Sequence, residues 1–81
     1  MDYYLITFAN TNTAMTAQRN LKGKLDFHIM PTLREISNSC GISMKIQPDS
    51  FALAKELIKE LLPNSSLYQF YHIADTVTPV E

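Results

Sequence analysis

A mixed α+β fold with the element order β-α-β-β-α-β is predicted from three observations on this 81-residue chain. Four short runs rich in β-branched and aromatic residues are either alternating or apolar throughout, as strands are. Two other segments repeat apolar residues at three- and four-residue steps, the pattern of amphipathic helices. Between these runs fall clusters of Asn, Ser, Pro and Gly, which supply turn and cap chemistry. The length makes one domain over residues 1–81, with a thin core in which each large side chain matters.

The first strand is read over residues 3–8, Tyr-Tyr-Leu-Ile-Thr-Phe. Tyr4, Ile6 and Phe8 share one face and Tyr3, Leu5 and Thr7 the other, a profile suited to a central strand. Asn10-Thr11-Asn12-Thr13 then offers cap residues, and Asn12 or Thr13 is expected to cap a helix beginning near Ala14. Ala14, Ala17 and Leu21 form its buried stripe, and Lys22-Gly23-Lys24 ends it, with Gly23 suited to the left-handed position. Leu25, Phe27 and Ile29 alternate with Asp26, His28 and Met30 as a second strand, stopped by Pro31.

Ile42, Met44 and Ile46 alternate with Ser43, Lys45 and Gln47, which predicts a third strand with one buried and one wet face. Pro48-Asp49-Ser50 opens the second helix, with Asp49 or Ser50 as cap. Phe51, Ala54, Leu57, Ile58, Leu61 and Leu62 form its apolar stripe, and Lys55, Glu56, Lys59 and Glu60 the solvated face. A fourth strand follows over residues 67–73, and residues 74–81 carry no pattern and are expected to fray. Two right-handed β-α-β crossovers interleaved in one sheet give the ferredoxin-like arrangement, a four-stranded antiparallel sheet with two helices on one face. A small doubly wound sheet is the alternative, disfavoured because only two helical segments are available.

The balance of seven Lys and Arg against eight Asp and Glu gives a net charge of -1. Nothing in it resembles a phosphate-backbone footprint, so no nucleic-acid partner is expected. No apolar run approaches the ~20 residues of a spanning helix, and the first residues lack a signal-peptide pattern. A cytoplasmic domain with no membrane partner is the expectation. His28 and His72 stand far apart, so no metal site and no resident cofactor are expected.

The connection at residues 31–41 holds the chain's one cysteine, Cys40, and Gly41, one of two glycines. Such a length between two strands of a small domain exceeds what closing the chain requires. In the β-α-β-β-α-β topology the first helix's N-terminus, this connection and the turn at residues 63–66 converge on one sheet edge. Cys40 would then lie near helix N–H groups from Asn12 and Thr13, which favour an anion. Arg34 in the same connection would add a positive charge, and Gly41 would let backbone approach the sulfur. An unperturbed thiol of pKa about 8.5 is only roughly 3% ionised at pH 7, and each unit of depression raises that fraction about tenfold. Against this stands the plain alternative that a lone cysteine is a small buried hydrophobe.

The opening Tyr-Tyr-Leu-Ile-Thr-Phe strand, the Asn-Thr-Asn-Thr-Ala helix start and the segment Pro31, Arg34-Glu35-Ile36-Ser37, Cys40-Gly41 resemble a small bacterial family of selenium/sulfur carrier-like proteins. The likeness runs from Tyr3 to the second helix. Where members of that family often carry a second proline before the arginine, this chain has Leu33. The resemblance implies a thiol protein that carries sulfur or selenium on Cys40 as a persulfide or selenosulfide. Its partners would be donor and acceptor proteins, and it would serve transfer enzymes without being one. A single nucleophile suits a carrier, whereas a thioredoxin-like oxidoreductase needs a second thiol. The competing function is a non-catalytic binding or assembly module. It would use the helix-free sheet face, with Tyr3, Leu5, Tyr71 and Ile73 as contacts, a homodimer as one product and Cys40 as a structural residue.

Overall fold

The computed structural model describes residues 2–33, 36 and 41–80. Its elements are β1 (Tyr3–Phe8), α1 (Thr11–Leu21), β2 (His28–Pro31), β3 (Ile42–Ile46), α2 (Phe51–Leu61), β4 (Tyr68–Ile73) and β5 (Val77–Val80). Short 3₁₀ turns precede α2 and β4. The five strands form one sheet in the order β2-β3-β1-β4-β5, with every neighbouring pair antiparallel. Four strands were expected, and the fifth comes from the segment expected to fray. β5 pairs with β4 from Ile73↔Val77 to Phe70↔Val80. Its sequence, Val-Thr-Pro-Val, is short and carries Pro79, which only an edge strand accommodates readily.

Alternation along β1 sorts the core into two clusters. Ile6 and Phe8, fully buried, face the helices and meet Ala14, Ala17 and Leu21 of α1 and Ala54 and Ile58 of α2. The small alanines let both helices sit close to the sheet, and each buried Ile or Leu contributes about 1.5–3 kcal/mol relative to exposure. Phe51, the first residue of α2, stacks on Tyr4 at 3.8 Å between ring centroids and meets Phe70 edge-to-face at 5.6 Å. These contacts, each worth about 0.5–1.5 kcal/mol beyond area, pin the start of α2 over β1 and β4.

The caps differ from expectation. Asn10 caps α1, its side-chain oxygen accepting from the Thr13 N–H at 2.8 Å and from the Thr13 hydroxyl at 2.9 Å. The helix therefore starts three residues before Ala14, at Thr11, because the polar run supplies several competent caps and the earliest is used. At α2 one of the two expected residues, Ser50, stands at the N-cap, but its side chain makes no cap hydrogen bond; the 3₁₀ turn at Pro48–Ser50 leads straight into the helix. Gly23 ends α1 at φ 86°, the left-handed region in which a Cβ is unfavourable. β2 is shorter than its alternation suggested. Leu25 precedes it and is buried in the helix-side cluster, while Ile29 on this edge strand is exposed.

The second cluster lies on the sheet face opposite the helices. Leu5 and Ile73 are buried there beneath Ile36, with Tyr3, Met30, Leu33, Tyr71 and Val77 around them. That face is therefore not an open surface. Ile36, which lies between β2 and β3 in the chain and is only 6% exposed, packs on Leu5 and Ile73 there.

Candidate functional site

The site is built from the two strands that launch and receive the connection. β2 and β3 pair through Pro31↔Ile42, and one further backbone bond follows, from the Thr32 N–H to the Gly41 carbonyl at 3.2 Å. A hydroxyl pair reinforces it: Thr32 Oγ1 and Ser43 Oγ lie 2.8 Å apart. The Ile36 N–H donates to the Leu33 carbonyl at 3.0 Å, a turn that directs Ile36 into the second cluster. Both ends of the connection and one interior residue are thus fixed to the sheet. Gly41, adjacent in sequence to Cys40, is exposed at the head of β3. Cys40 and Arg34 themselves lie outside the described residues.

β3 has no wet face along most of its length. Ser43 is fully buried, and Lys45 is half-buried with its ammonium 4.8 Å from the Tyr3 ring centroid. The alternation of Ile42, Met44 and Ile46 identified the helix side correctly. Ser43 lies on the opposite side, buried with its hydroxyl against that of Thr32. Thr7, its partner in the β1–β3 register, is 1% exposed, and its hydroxyl makes a long 3.5 Å contact to the Gln69 carbonyl. Among the described residues no buried side-chain N or O lacks a partner, so these hydroxyls lie inside without an unmet hydrogen-bonding demand.

The register places the expected segments at one end of the sheet. Thr7 pairs with Ser43 and Phe8 with Tyr68, and the Ala9 N–H donates to the Leu67 carbonyl at 2.9 Å. The start of α1, the head of β3 and the turn before β4 therefore share this end. A cleft of about 250 Å³ opens there, lined by Thr7, Ala9, Ser65, Ser66, Tyr68 and Tyr71 among others. It carries hydroxyls and no charged side chain among the described residues.

Two of the candidate binding residues take other roles. Thr13 is buried, and both its N–H and its hydroxyl are held by Asn10 within the cap. Asn12 is exposed in the first turn and is not the cap. At Gly41 a Cβ would meet nothing within 4 Å and φ is not positive, so the described surroundings do not require glycine there. His72 pairs with Asp2 at 3.2 Å and lies 5.0 Å from the Tyr4 ring, far from His28 in the β2–β3 half of the sheet. Among the described residues no three His, Cys, Asp or Glu side chains gather as metal ligands would, and no helix is long and apolar enough to cross a membrane.

Thr32, Ser43 and Ile36 are the residues that sequence reasoning missed. The available signal was the pair Leu33 and Ile36, two apolar residues three apart in an otherwise polar connection. A family model described as "Putative Se/S carrier protein-like" matches residues 3–69, which takes in both helices, the whole connection and the start of β4. No curated protein and no solved structure matches the chain.

Proposed function

The chain belongs to this Se/S carrier-like family, and from that premise we propose that Cys40 takes up a sulfur or selenium atom and hands it on. The observation that carries the reading is the family match itself, because it spans the only cysteine in the chain. In the loading step the Cys40 thiolate attacks the terminal sulfur of a donor persulfide, R–S–S–H. A Cys40 S–S bond forms as the donor's S–S bond breaks, and the donor leaves as its thiolate. The proton stays on the transferred sulfur, so no oxidant or reductant is consumed. The selenium version replaces the transferred atom and keeps the same balance. Unloading is the reverse attack, by an acceptor thiolate.

Arg34 serves in this reading as a cation near the terminal atom, stabilising it once its proton passes to solvent, and Gly41 as the exposed joint between Cys40 and β3. The interleaved crossovers favour reading β1 to β4 as a ferredoxin-like core, with β5 added at one edge. A reducing cytoplasm is the compartment that keeps such a thiol free between cycles. The role is that of an accessory to transfer enzymes, with donor and acceptor proteins as partners. The competing assembly module draws less support, since Leu5 and Ile73, two of its four contact residues, are buried under the chain's own Ile36.

The test is intact-mass spectrometry after incubation with a persulfide donor. The chain should gain one sulfur atom and the Cys40→Ser variant none. If the unaltered chain gains nothing while a control thiol protein is loaded, the proposal fails.

A further inference from the structure

We propose that the cleft between the turn after α1 and the start of α2 binds a small zwitterion with an apolar side chain, an α-amino acid such as leucine being the simplest of that class. The cleft encloses about 330 Å³, at the lower end of the ~300–1,000 Å³ range of small-molecule sites. Gly23, Lys24, Leu25 and Asp26 line it from the segment between α1 and β2, and Ser50 and Leu53 from the start of α2.

Leu53 is what singles this cleft out. The apolar stripe of α2 runs through Phe51, Ala54, Leu57, Ile58 and Leu61, and Leu53 falls outside it. It is 45% exposed, one of three large apolar side chains left exposed among the described residues. The walls on either side of it are set before any ligand arrives. The Lys24 and Leu25 N–H groups both donate to the Leu21 carbonyl, at 2.9 and 3.2 Å, around the left-handed Gly23. Leu25, 8% exposed, anchors that segment in the helix-side cluster. On the other wall the Ser50 N–H donates to the Gln47 carbonyl at 3.0 Å. An apolar side chain entering here covers Leu53 without disturbing either wall.

Charge selects the other half of the ligand. Lys24 and Asp26 are exposed in the one cleft, and neither has an ion pair or side-chain hydrogen bond among the described residues. Lys24 also borders a smaller cleft with Glu60 and makes no ion pair with it. Ser50, half-buried at the N-cap of α2, has a hydroxyl that makes no cap hydrogen bond and no other among the described residues. A simple anion would be attracted by Lys24 and repelled by Asp26, and a simple cation the reverse. A molecule that is neutral overall, with its two charges a few atoms apart, satisfies both. Its carboxylate lies at Lys24 and the Ser50 hydroxyl, its ammonium at Asp26 and its side chain against Leu53. The N-terminal end of the α2 dipole, at Ser50, also favours the carboxylate. None of these residues lies in the β2–β3 connection, so this proposal stands or falls apart from the carrier role.

Amide NMR titration of the full chain with leucine tests it, with isoamylamine, isocaproate and glycine as comparison probes. Isoamylamine lacks the carboxylate, isocaproate the ammonium and glycine the apolar side chain. Leucine should give saturable shifts clustered on Lys24, Leu25, Asp26, Ser50 and Leu53. Affinity should fall about two- to fivefold for each singly charged probe and about fivefold or more for glycine. Lys24→Gln should weaken leucine about two- to fivefold without weakening isoamylamine, and Asp26→Asn should weaken leucine to the same extent without weakening isocaproate. Scattered or non-saturating shifts overturn the site. Equal binding by either singly charged probe, or a leucine affinity unmoved in either variant, overturns the pairing of charges. Equal binding by glycine overturns the role of Leu53.

Discussion

Replacing Ile36 with alanine removes a buried side chain that the β2–β3 connection contributes to the second core cluster. Ile36 is 6% exposed and lies on Leu5 and Ile73, themselves 0% and 7% exposed. Truncations of a buried isoleucine cost about 2–5 kcal/mol, the spread reflecting how far the site collapses. Here half-buried Tyr3, Met30, Leu33 and Tyr71 surround the cluster and can close on the gap, which points to the lower part of that range, about 2–3 kcal/mol. A chain of this size has a total stability of about 4–12 kcal/mol, so roughly a sixth to three quarters of it would be lost. At about 4–8 °C per kcal/mol, Tm should fall by about 10–20 °C. Urea denaturation followed by circular dichroism measures the loss, with Ile36→Val as a graded control expected to cost about 0.5–1.5 kcal/mol. A loss for Ile36→Ala under about 0.5 kcal/mol, the range of ordinary surface changes, would refute the claim that this residue is seated on the sheet.

Three further perturbations probe other parts of the fold. Asn10→Ala removes the acceptor for both Thr13 donors and should cost about 1 kcal/mol in the same assay, whereas Asn10→Ser should keep most of that stability. Gly23→Ala, at φ 86° with nothing within 4 Å of the new Cβ, should cost about 1 kcal/mol through backbone strain alone. Ending the chain after Asp75 removes β5 and bares the β4 edge; light scattering should then show self-association absent from the full chain, and a monodisperse monomer would argue that β5 does not protect that edge.

Periodicity explains which parts of this architecture could be read without coordinates. Ala14, Ala17 and Leu21, and Ala54, Ile58 and Leu62, recur at helical steps because each helix buries a single stripe on the sheet. β1 and β4 were legible because both are nearly apolar along their length. β5 was not: Val-Thr-Pro-Val has no alternation to detect, and its pairing is dictated by the free edge of β4 rather than by its own residues. The cap was misplaced because Asn10, Asn12 and Thr13 are chemically near-equivalent, and only the turn geometry selects Asn10.

The site was legible in a different proportion. That the head of β3, the start of α1 and the turn before β4 share one end followed from element order alone, and the Thr7↔Ser43 and Phe8↔Tyr68 pairs place them there. What anchors the connection was hidden, since Thr32 and Ser43 look like solvent-facing residues until the pairing of β2 with β3 brings their hydroxyls to 2.8 Å of each other. Ile36 was hidden for a simpler reason: with Leu33 it makes only one pair of apolar residues in a polar loop, too short a run to set a period. The same seating answers why the connection is long. Ile36 has to leave the β2 edge to reach Leu5 of β1 and Ile73 of β4.

The carrier role rests on one property, the capacity of Cys40 to hold an atom and then release it. The direct measurement loads the chain from a persulfide donor, removes the donor, and follows the masses of the chain and of an added acceptor thiol protein together. The account expects the sulfur atom to leave the chain and appear on the acceptor, with neither event in the Cys40→Ser variant. A chain that never loads, or that loads and retains its sulfur while the acceptor stays unchanged, would contradict it.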